Sequence, residues 1–345
     1  MAMRRMVIDL QSTTPTMALP EWGADRVRAA MPPGWEVVVV QSPTDSSGDG
    51  STVVSDEVLR AVATAEAYFG YGLPAALVSA APALRWAHSA SAGVGSALTS
   101  ALRASGLMFT NSAGVYGDPM ADTVVAGVLY FTRGLDHATR LQRAGEWDKG
   151  PFALPPHAVR EVAGLRVLVV GAGGIGSAVA TRLTALGAVC TGVRRRPELG
   201  VPVGFARVVG AAAVDAELPS ADVLVLAAPL TESSRGLLDA RRLALLPAGA
   251  IVVNVARGEL IEDAALLAAL DHGTLRGASL DVFREEPLPT ESPYWSHPRV
   301  LVTPHVSGRS PERHWHRALA LFEDNWRRWA AGEPLRNVVD PVAGY

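Results

Sequence analysis

The stretch "LRVLVVGAGGIGSAVATRLTALGA" (residues 165–188) sets an apolar, β-branched run directly against a cluster of glycines, followed by a helical pattern. Gly171, Gly173 and Gly176 fall in G-x-G-x-x-G spacing, with Gly174 and Ile175 inside it. Alone the spacing is a weak signal, because glycines often mark an ordinary turn. Here the context adds to it. Ile175, Val179, Leu183 and Leu186 recur on one helical side, and Gly187 can stop the helix. The spacing then has a mechanism. Gly171 permits a tight turn, Gly173 lets the backbone approach a pyrophosphate, and Gly176 lets the helix lie close on the sheet. The helix N-terminal amides then face the phosphates. The expectation is a dinucleotide-binding strand, turn and helix.

The next strand runs into three adjacent arginines, "AVCTGVRRRPELG" (188–200). In such a unit the end of the second strand meets the adenine ribose about 20 residues after the glycines. An acid there bonds the 2′-hydroxyl of NAD, whereas arginine accommodates the 2′-phosphate of NADP. Arg194 stands where the acid is expected, and no acidic residue lies between the glycine turn and Glu198. Guanidinium groups form charge-assisted, often bidentate bonds with phosphate. NADP(H) is therefore the expected cofactor, with NAD(H) possible. Arg194 is the first candidate, Arg195 a helper, and Arg196 faces water. A solvated basic turn without function is the other reading.

Working outward, "VLVLAA", "AIVVNV", "GASLDVF" and "RVLVTP" are further continuous apolar runs. Continuous rather than alternating apolar strands imply burial on both faces, as in a parallel sheet covered by helices. The first third reads as shorter βα units. "RRMVIDL", "WEVVVVQS" and "LRWAHSAS" suggest strands, and "PEWGADRVRAAMP" and "SDEVLRAVATAEAY" suggest helices, the second opened by Ser55. "PTDSSGDGST" (43–52) is a polar loop. Asp118 as N-cap with Pro119 at the first helical position predicts a long helix after it. Ser310-Pro311 opens a last helix that Gly332 can close, with Trp315, Leu319, Phe322, Trp326 and Trp329 on one face.

An amphipathic tail after the last strand suggests a return to the first domain. The expected class is α/β: two Rossmann-like or flavodoxin-like domains with a cleft between them, parallel sheets covered by helices. Residues 1–115 plus 308–345 form a discontinuous substrate-binding domain, and residues 116–307 the dinucleotide-binding Rossmann domain.

Composition narrows the rest. A chain of 345 residues exceeds one hydrophobic core. With 49% apolar and 19% charged residues and a net charge of −3, it reads as compact, without a nucleic-acid or membrane-surface partner. Cys190 is the single cysteine, which excludes intrachain disulfides and suits a reducing compartment. "MAMRRMVIDLQ" is too short for a signal-peptide core, and no run could span a bilayer, so a cytoplasmic location is expected. His314 and His316 lack an accompanying ligand set and read as helix surface, so no metal is expected.

Three apolar strands each end in a polar group: Arg257 in "IVVNVARGELIEDAAL", Glu286 in "GASLDVFREEPLP" and His305 in "RVLVTPHVSG". In open parallel sheets, ligands bind beyond the carboxyl ends of the strands. Arginine offers a charged planar fork matching a 2-oxo acid, and a carboxylate beside histidine fixes its tautomer and favours its protonated form. Together they suit hydride transfer to a carbonyl.

At this point the chain resembles the D-isomer-specific 2-hydroxyacid dehydrogenases, in particular the glyoxylate/hydroxypyruvate reductase-like members. The resemblance covers most of the chain and is tightest from about Asn111 to His305. It rests on "GAGGIG", "APLTESSRGLLDARRLALLPAGAIVVNVARGELI", "LDVFREEPLP" and "TPH" in the family's order. It implies that Arg257 clamps the substrate carboxylate and keto oxygen, that His305 is the acid or base, and that Glu286 is its partner. It also implies that Ala228, Pro229, Val255 and Ala256 line the nicotinamide half of the cofactor site, with Asp281 near the nicotinamide amide. Asp281 can equally be a strand-end cap.

"SASAGVG" (89–95) resembles the loop whose main-chain N–H groups hold the substrate carboxylate, pointing to Ala92, Gly93 and Val94. An ordinary turn is the alternative. Ala121-Asp122 stands where the family often has Ala-Glu, and Tyr68, Phe69 and Tyr71 either roof a small pocket or simply pack. The implied activity is NADPH-dependent reduction of a small 2-oxo acid to a D-2-hydroxy acid, by a homodimer whose domains close on substrate. Glyoxylate and hydroxypyruvate are the first candidates. Two alternatives stay open: a non-catalytic dinucleotide-sensing corepressor-like protein, and a family member using another hydride donor such as formate or phosphite.

Overall fold

The computed structural model describes residues 3–15, 17–44, 52–153, 158–311 and 313–340, so most of the 43–52 loop lies outside the described residues. The chain divides into two compact units, Met1–Tyr116 with Ser310–Tyr345, and Gly117–Arg309. Each is built on one all-parallel sheet.

The first unit carries β1 (Arg4–Asp9), β2 (Trp35–Val39), β3 (Ala67–Gly70), β4 (Trp86–Ser89) and β5 (Met108–Thr110), in the order β2-β1-β3-β4-β5. This is the flavodoxin-like order. The middle strand departs from the expectation. The helix opened by Ser55, whose side chain accepts the Val58 N–H, ends at Val62, and Ala67–Gly70 form the middle strand instead of a helical end. All four residues of that strand are buried, and a short run buried on both faces carries no alternation to mark it. Tyr68, Phe69 and Tyr71 are core residues, 1%, 0% and 3% exposed.

The final helix, His314–Ala331, packs Trp315, Leu319, Phe322 and Trp326 into the same core as Phe69 and Trp86. Phe322 stacks on Phe69 with ring centroids 4.4 Å apart. The helix begins four residues later than Ser310, whose carbonyl accepts the Arg313 and His314 N–H groups in a preceding turn. Gly332, at φ +71°, ends it. His314 is buried rather than on the helix surface, because its ring packs against Tyr116; His316 is exposed and stacks on Trp22.

The second unit carries β6 (Arg166–Val170), β7 (Val189–Arg194), β8 (Arg207–Gly210), β9 (Val223–Leu226), β10 (Ala250–Asn254), β11 (Leu275–Leu280) and β12 (Val300–Val302). Their order, β12-β11-β10-β9-β6-β7-β8, reverses direction between β6 and β9, the topological switch point where dinucleotides bind in this architecture. The β8 edge strand escapes the hydrophobic pattern because none of its four residues is fully buried. The helix Gly117–Thr132 begins one residue before Asp118, so Asp118 and Pro119 lie in its first turn. Asp118 does not cap; it pairs with Arg182 at 2.9 Å, beside Asp122 at 2.7 Å. Cys190 is buried in β7, and burial pushes its thiol up. A bidentate pair between Arg276 and Asp136, both 3% exposed, locks β11 to the helix Leu135–Ala144.

Candidate active site

The predicted residues of the second unit lie at or after the carboxyl ends of its strands, on one edge of its sheet. The glycine turn follows β6. Gly171 has φ +108°, and a Cβ there would lie 2.5 Å from the Ala227 carbonyl group, so only glycine permits this crossing over the β9 exit. A Cβ on Gly176 would lie 2.0 Å from the Gly171 oxygen. Gly173 is different. It precedes the helix Gly174–Ala185, no side chain caps that N-terminus, and a Cβ there would meet nothing within 4 Å. An open backbone face in front of uncapped helical amides fits a pyrophosphate. Gly174 opens the helix, and Ile175 packs partly buried beside it.

The glycine turn is tied to the arginine end of β7. The N–H groups of Gly171 and Ala172 both donate to the Val193 carbonyl, at 2.9 and 3.1 Å. Arg194 follows as the last residue of β7, half-buried, with Nη1 donating to the Gly200 carbonyl at 3.4 Å; Arg195 and Arg196 are exposed. The guanidinium groups therefore stand at the strand end adjoining the phosphate turn. Across the switch point, the Ala227 N–H donates to the Val170 carbonyl, which brings Ala228 and Pro229 beside the same turn.

After β10, Val255 and Ala256 are buried and Arg257 is half-buried. Asn254 shapes this turn from inside. Its Oδ1 accepts the Ala256 N–H at 3.0 Å and its Nδ2 donates to the Arg257 carbonyl at 2.8 Å. Gly258 lets the turn press against the next one: a Cβ there would lie 2.0 Å from the Phe283 carbonyl carbon. Phe283 in turn donates its N–H to Glu286 Oε1 at 2.9 Å. The other carboxylate oxygen, Oε2, lies 2.7 Å from His305 Nδ1. Both side chains remain partly open to solvent, 35% and 38% exposed. A carboxylate on Nδ1 selects the tautomer with its N–H there and leaves Nε2 as the reactive nitrogen.

His305 has φ +51°, a left-handed conformation uncommon outside glycine. Asp281 sustains it. The Asp281 carbonyl accepts the His305 N–H at 2.8 Å, and its buried carboxylate accepts from Thr303 Oγ1 (2.5 Å), Val306 N–H (3.0 Å) and Ser307 N–H (2.9 Å). Glu286 and His305 are thus in direct contact, the turn that carries Arg257 packs against the turn that carries Glu286, and Asp281 braces the histidine loop. Sequence reasoning missed Asn254 and Thr303 as supports; a side chain bonding its own turn leaves no periodic signal.

In the first unit, Ala92, Gly93 and Val94 follow β4 at its carboxyl end, the first two half-buried and Val94 3% exposed. Among the described residues, no group of three or more His, Cys, Asp or Glu side chains could hold a metal ion, and no helix is long and apolar enough to cross a membrane.

Residues 125–307 match the family described as D-isomer specific 2-hydroxyacid dehydrogenase, NAD binding domain. A curated relative, glyoxylate/hydroxypyruvate reductase A of Salmonella newport, is 36% identical over 231 residues, 66% of this chain and 70% of its own length. Among solved structures, a D-isomer specific 2-hydroxyacid dehydrogenase of Xanthobacter autotrophicus in complex with NADPH and MES aligns with TM-score 0.78 and 31% identity, covering both chains fully. An NADPH-dependent glyoxylate/hydroxypyruvate reductase of Sinorhizobium meliloti, in complex with NADP and sulfate, aligns with TM-score 0.78 and 29% identity, covering 99% of this chain and 100% of that one. The strand-end chemistry and the matched sequence agree: the chain belongs to the D-isomer-specific 2-hydroxyacid dehydrogenase family of oxidoreductases.

Proposed function

We propose that this protein reduces a small 2-oxo acid to the D-2-hydroxy acid, with NADPH preferred over NADH and glyoxylate or hydroxypyruvate as the first substrates to try. The observation that carries the reading is the contact between His305 Nδ1 and Glu286 Oε2. It orients an imidazole whose Nε2 delivers a proton to the keto oxygen as C2 is reduced. Arg257, whose backbone carbonyl is held by Asn254 Nδ2 and whose Nη1 donates to the Ala256 carbonyl at 2.7 Å, binds the carboxylate and keto oxygen as a planar cation. The amides of Ala92, Gly93 and Val94 receive the same carboxylate. When bound, the reduced nicotinamide supplies the hydride. The Gly173 face and the uncapped helix amides would hold the phosphates, and Arg194 would neutralise the 2′-phosphate.

Asp281 contributes to the nicotinamide end of the site through the loop that its carboxylate braces with three hydrogen bonds. The Sinorhizobium meliloti protein named as an NADPH-dependent reductase, and the Xanthobacter autotrophicus structure in complex with NADPH, support the cofactor choice for this chain, and a homodimer is the assembly to test by sedimentation. The deciding experiment follows the loss of reduced-nicotinamide absorbance for NADPH and NADH, each with glyoxylate, hydroxypyruvate and a bulkier 2-oxo acid. Turnover with NADPH above NADH is expected. Preference for NADH would remove the role given to Arg194, and no turnover with any 2-oxo acid despite cofactor binding would remove the reductase reading.

A further inference from the structure

The loop after β4 is held from one side by a single neighbouring segment. The Ser89 carbonyl accepts the Ser112 hydroxyl at 2.8 Å, and the Ala90 carbonyl accepts the Tyr116 hydroxyl at 3.0 Å. The Ser91 carbonyl accepts the Ser112 N–H at 3.1 Å, and the Ala92 carbonyl accepts Asn111 Nδ2 at 2.8 Å. Four consecutive carbonyls thus face residues 111–116. In a planar trans peptide the N–H points opposite to the carbonyl of the same unit. Holding the Ser91 and Ala92 carbonyls therefore turns the Ala92 and Gly93 N–H groups the other way.

Asn111 is the side chain on which the last of these peptide planes depends. The Ala92–Gly93 unit ends in glycine, which tolerates either orientation of the plane, so a flip costs little unless the carbonyl is bonded. Asn111 is itself fixed on every polar group. Its Oδ1 accepts the Ala113 N–H at 3.1 Å, its N–H donates to the Asn337 carbonyl at 3.1 Å, and its carbonyl accepts Asn337 Nδ2 at 3.2 Å. The second hydrogen of Asn337 Nδ2 goes to the Ala113 carbonyl at 2.8 Å. Asn337 sits at φ +54°, a left-handed position that asparagine tolerates better than most residues. Around it the C-terminal segment runs antiparallel to β5, through the Thr110–Val338 bridge and a Val339 N–H bond to the Phe109 carbonyl at 2.9 Å.

We infer that Asn111, locked by Asn337 of the C-terminal segment, is a positioning residue that aims the Ala92 and Gly93 amides at the substrate carboxylate. The inference rests on the reading that this loop receives that carboxylate. Amides contribute to binding and catalysis in proportion to their preorganisation, because no free energy is then spent turning them. A brace remote from the reacting atoms therefore acts on substrate affinity and leaves the cofactor alone.

The test uses the full chain with Asn111→Ala, Asn111→Asp and Asn337→Gly, the last keeping the positive φ while removing the side-chain amide. Two readouts are compared: amide hydrogen exchange at Asn111, Ser112 and Ala113, and KM for glyoxylate beside the dissociation constant for NADPH. In Asn111→Ala, exchange at least tenfold faster, KM raised about tenfold or more, and unchanged NADPH affinity are expected. Asn111→Asp, which keeps the Oδ1 acceptor of the Ala113 N–H but loses the donor to Ala92, raises KM with less change in exchange, and Asn337→Gly gives a smaller rise. Unchanged exchange would overturn the brace whatever the activity. Faster exchange with unchanged KM would overturn the positioning role and the assignment of the loop, while wild-type turnover would keep the reductase reading. Equal losses in KM, NADPH affinity and melting temperature would reduce Asn111 to a structural residue. A wild-type protein inert toward every 2-oxo acid would sink the reductase reading, and with it the aim of these amides at a substrate carboxylate, even if the exchange data still showed the brace.

Discussion

His305 Nδ1 lies 2.7 Å from Glu286 Oε2, while Oε1 of the same carboxylate accepts the Phe283 N–H at 2.9 Å. One oxygen anchors the carboxylate to its own turn and the other orients the ring, so each has a separate task. His305→Ala is expected to lower kcat by about 10²–10⁴, the range for a lost general acid, with NADPH affinity unchanged. Glu286→Gln leaves one carbonyl oxygen for two donors and is expected to lower kcat by about 10–100-fold. Steady-state kinetics and a cofactor titration on both variants decide it. Wild-type turnover in His305→Ala would take the histidine out of the mechanism.

The three glycines of the phosphate turn are not equivalent, and their alanine variants should separate. Gly171→Ala and Gly176→Ala would place a Cβ 2.5 Å and 2.0 Å from backbone atoms, the first at φ +108°. Each is expected to lower stability by about 1–3 kcal/mol or more, as overpacking and positive-φ strain do, which should appear as a clear drop in melting temperature. Gly173→Ala meets open space and should melt like wild type, yet weaken NADPH binding because its methyl occupies the face left for the pyrophosphate. If Gly173→Ala bound NADPH normally, the phosphate would have to lie elsewhere.

Arg194 ends β7 one residue after the carbonyl that anchors the glycine turn. A charge-assisted bond to phosphate is worth about 1.5–3 kcal/mol, so Arg194→Ala should cost roughly 10–100-fold in kcat/KM with NADPH. Activity with NADH should hardly change, because that cofactor lacks the 2′-phosphate. An equal loss with both cofactors would mean that the arginine supports the turn rather than reading the phosphate.

The parts of this architecture legible in sequence are those with local rules. Residues 165–188 declare a strand, turn and helix because burial, glycine φ and helical periodicity all act within a few residues of one another. The β3 strand does not declare itself, since Ala67–Gly70 continue a helical-looking stretch and are buried on both faces. Asp118 looks like a cap until Arg182, distant in sequence, claims its carboxylate. The same divide runs through the candidate site. Arg257, Glu286 and His305 stand out because each closes an apolar strand. Asn254, Thr303 and Asn111 do not, because their work is to bond the backbone of turns whose shape exists only after folding.

The buried histidines give the fold an acid limit. Burial pushes His88 down to about 3, where its Nδ1 meets Thr110 Oγ1 at 2.7 Å and its Nε2 meets Ser112 Oγ at 3.3 Å, among the rings of Phe69, Trp86 and Phe322. Burial, and then the charge of Arg317, pushes His314 down to about 4. The unfolded chain takes up these protons below about 6.5, and the folded chain resists them until pH 4 or 3. The unfolded state therefore binds more protons in that window, and stability falls as the pH falls. Each histidine removes about 1.4 kcal/mol per pH unit there. Asp9 has the opposite sign: burial raises it, so protonating it on the way down favours the folded state. Denaturant unfolding at pH 7.5, 5.5 and 4.5 should show a net loss, and His88→Asn should flatten the slope by about one histidine's share. An unchanged slope in His88→Asn would assign the acid sensitivity to groups other than His88.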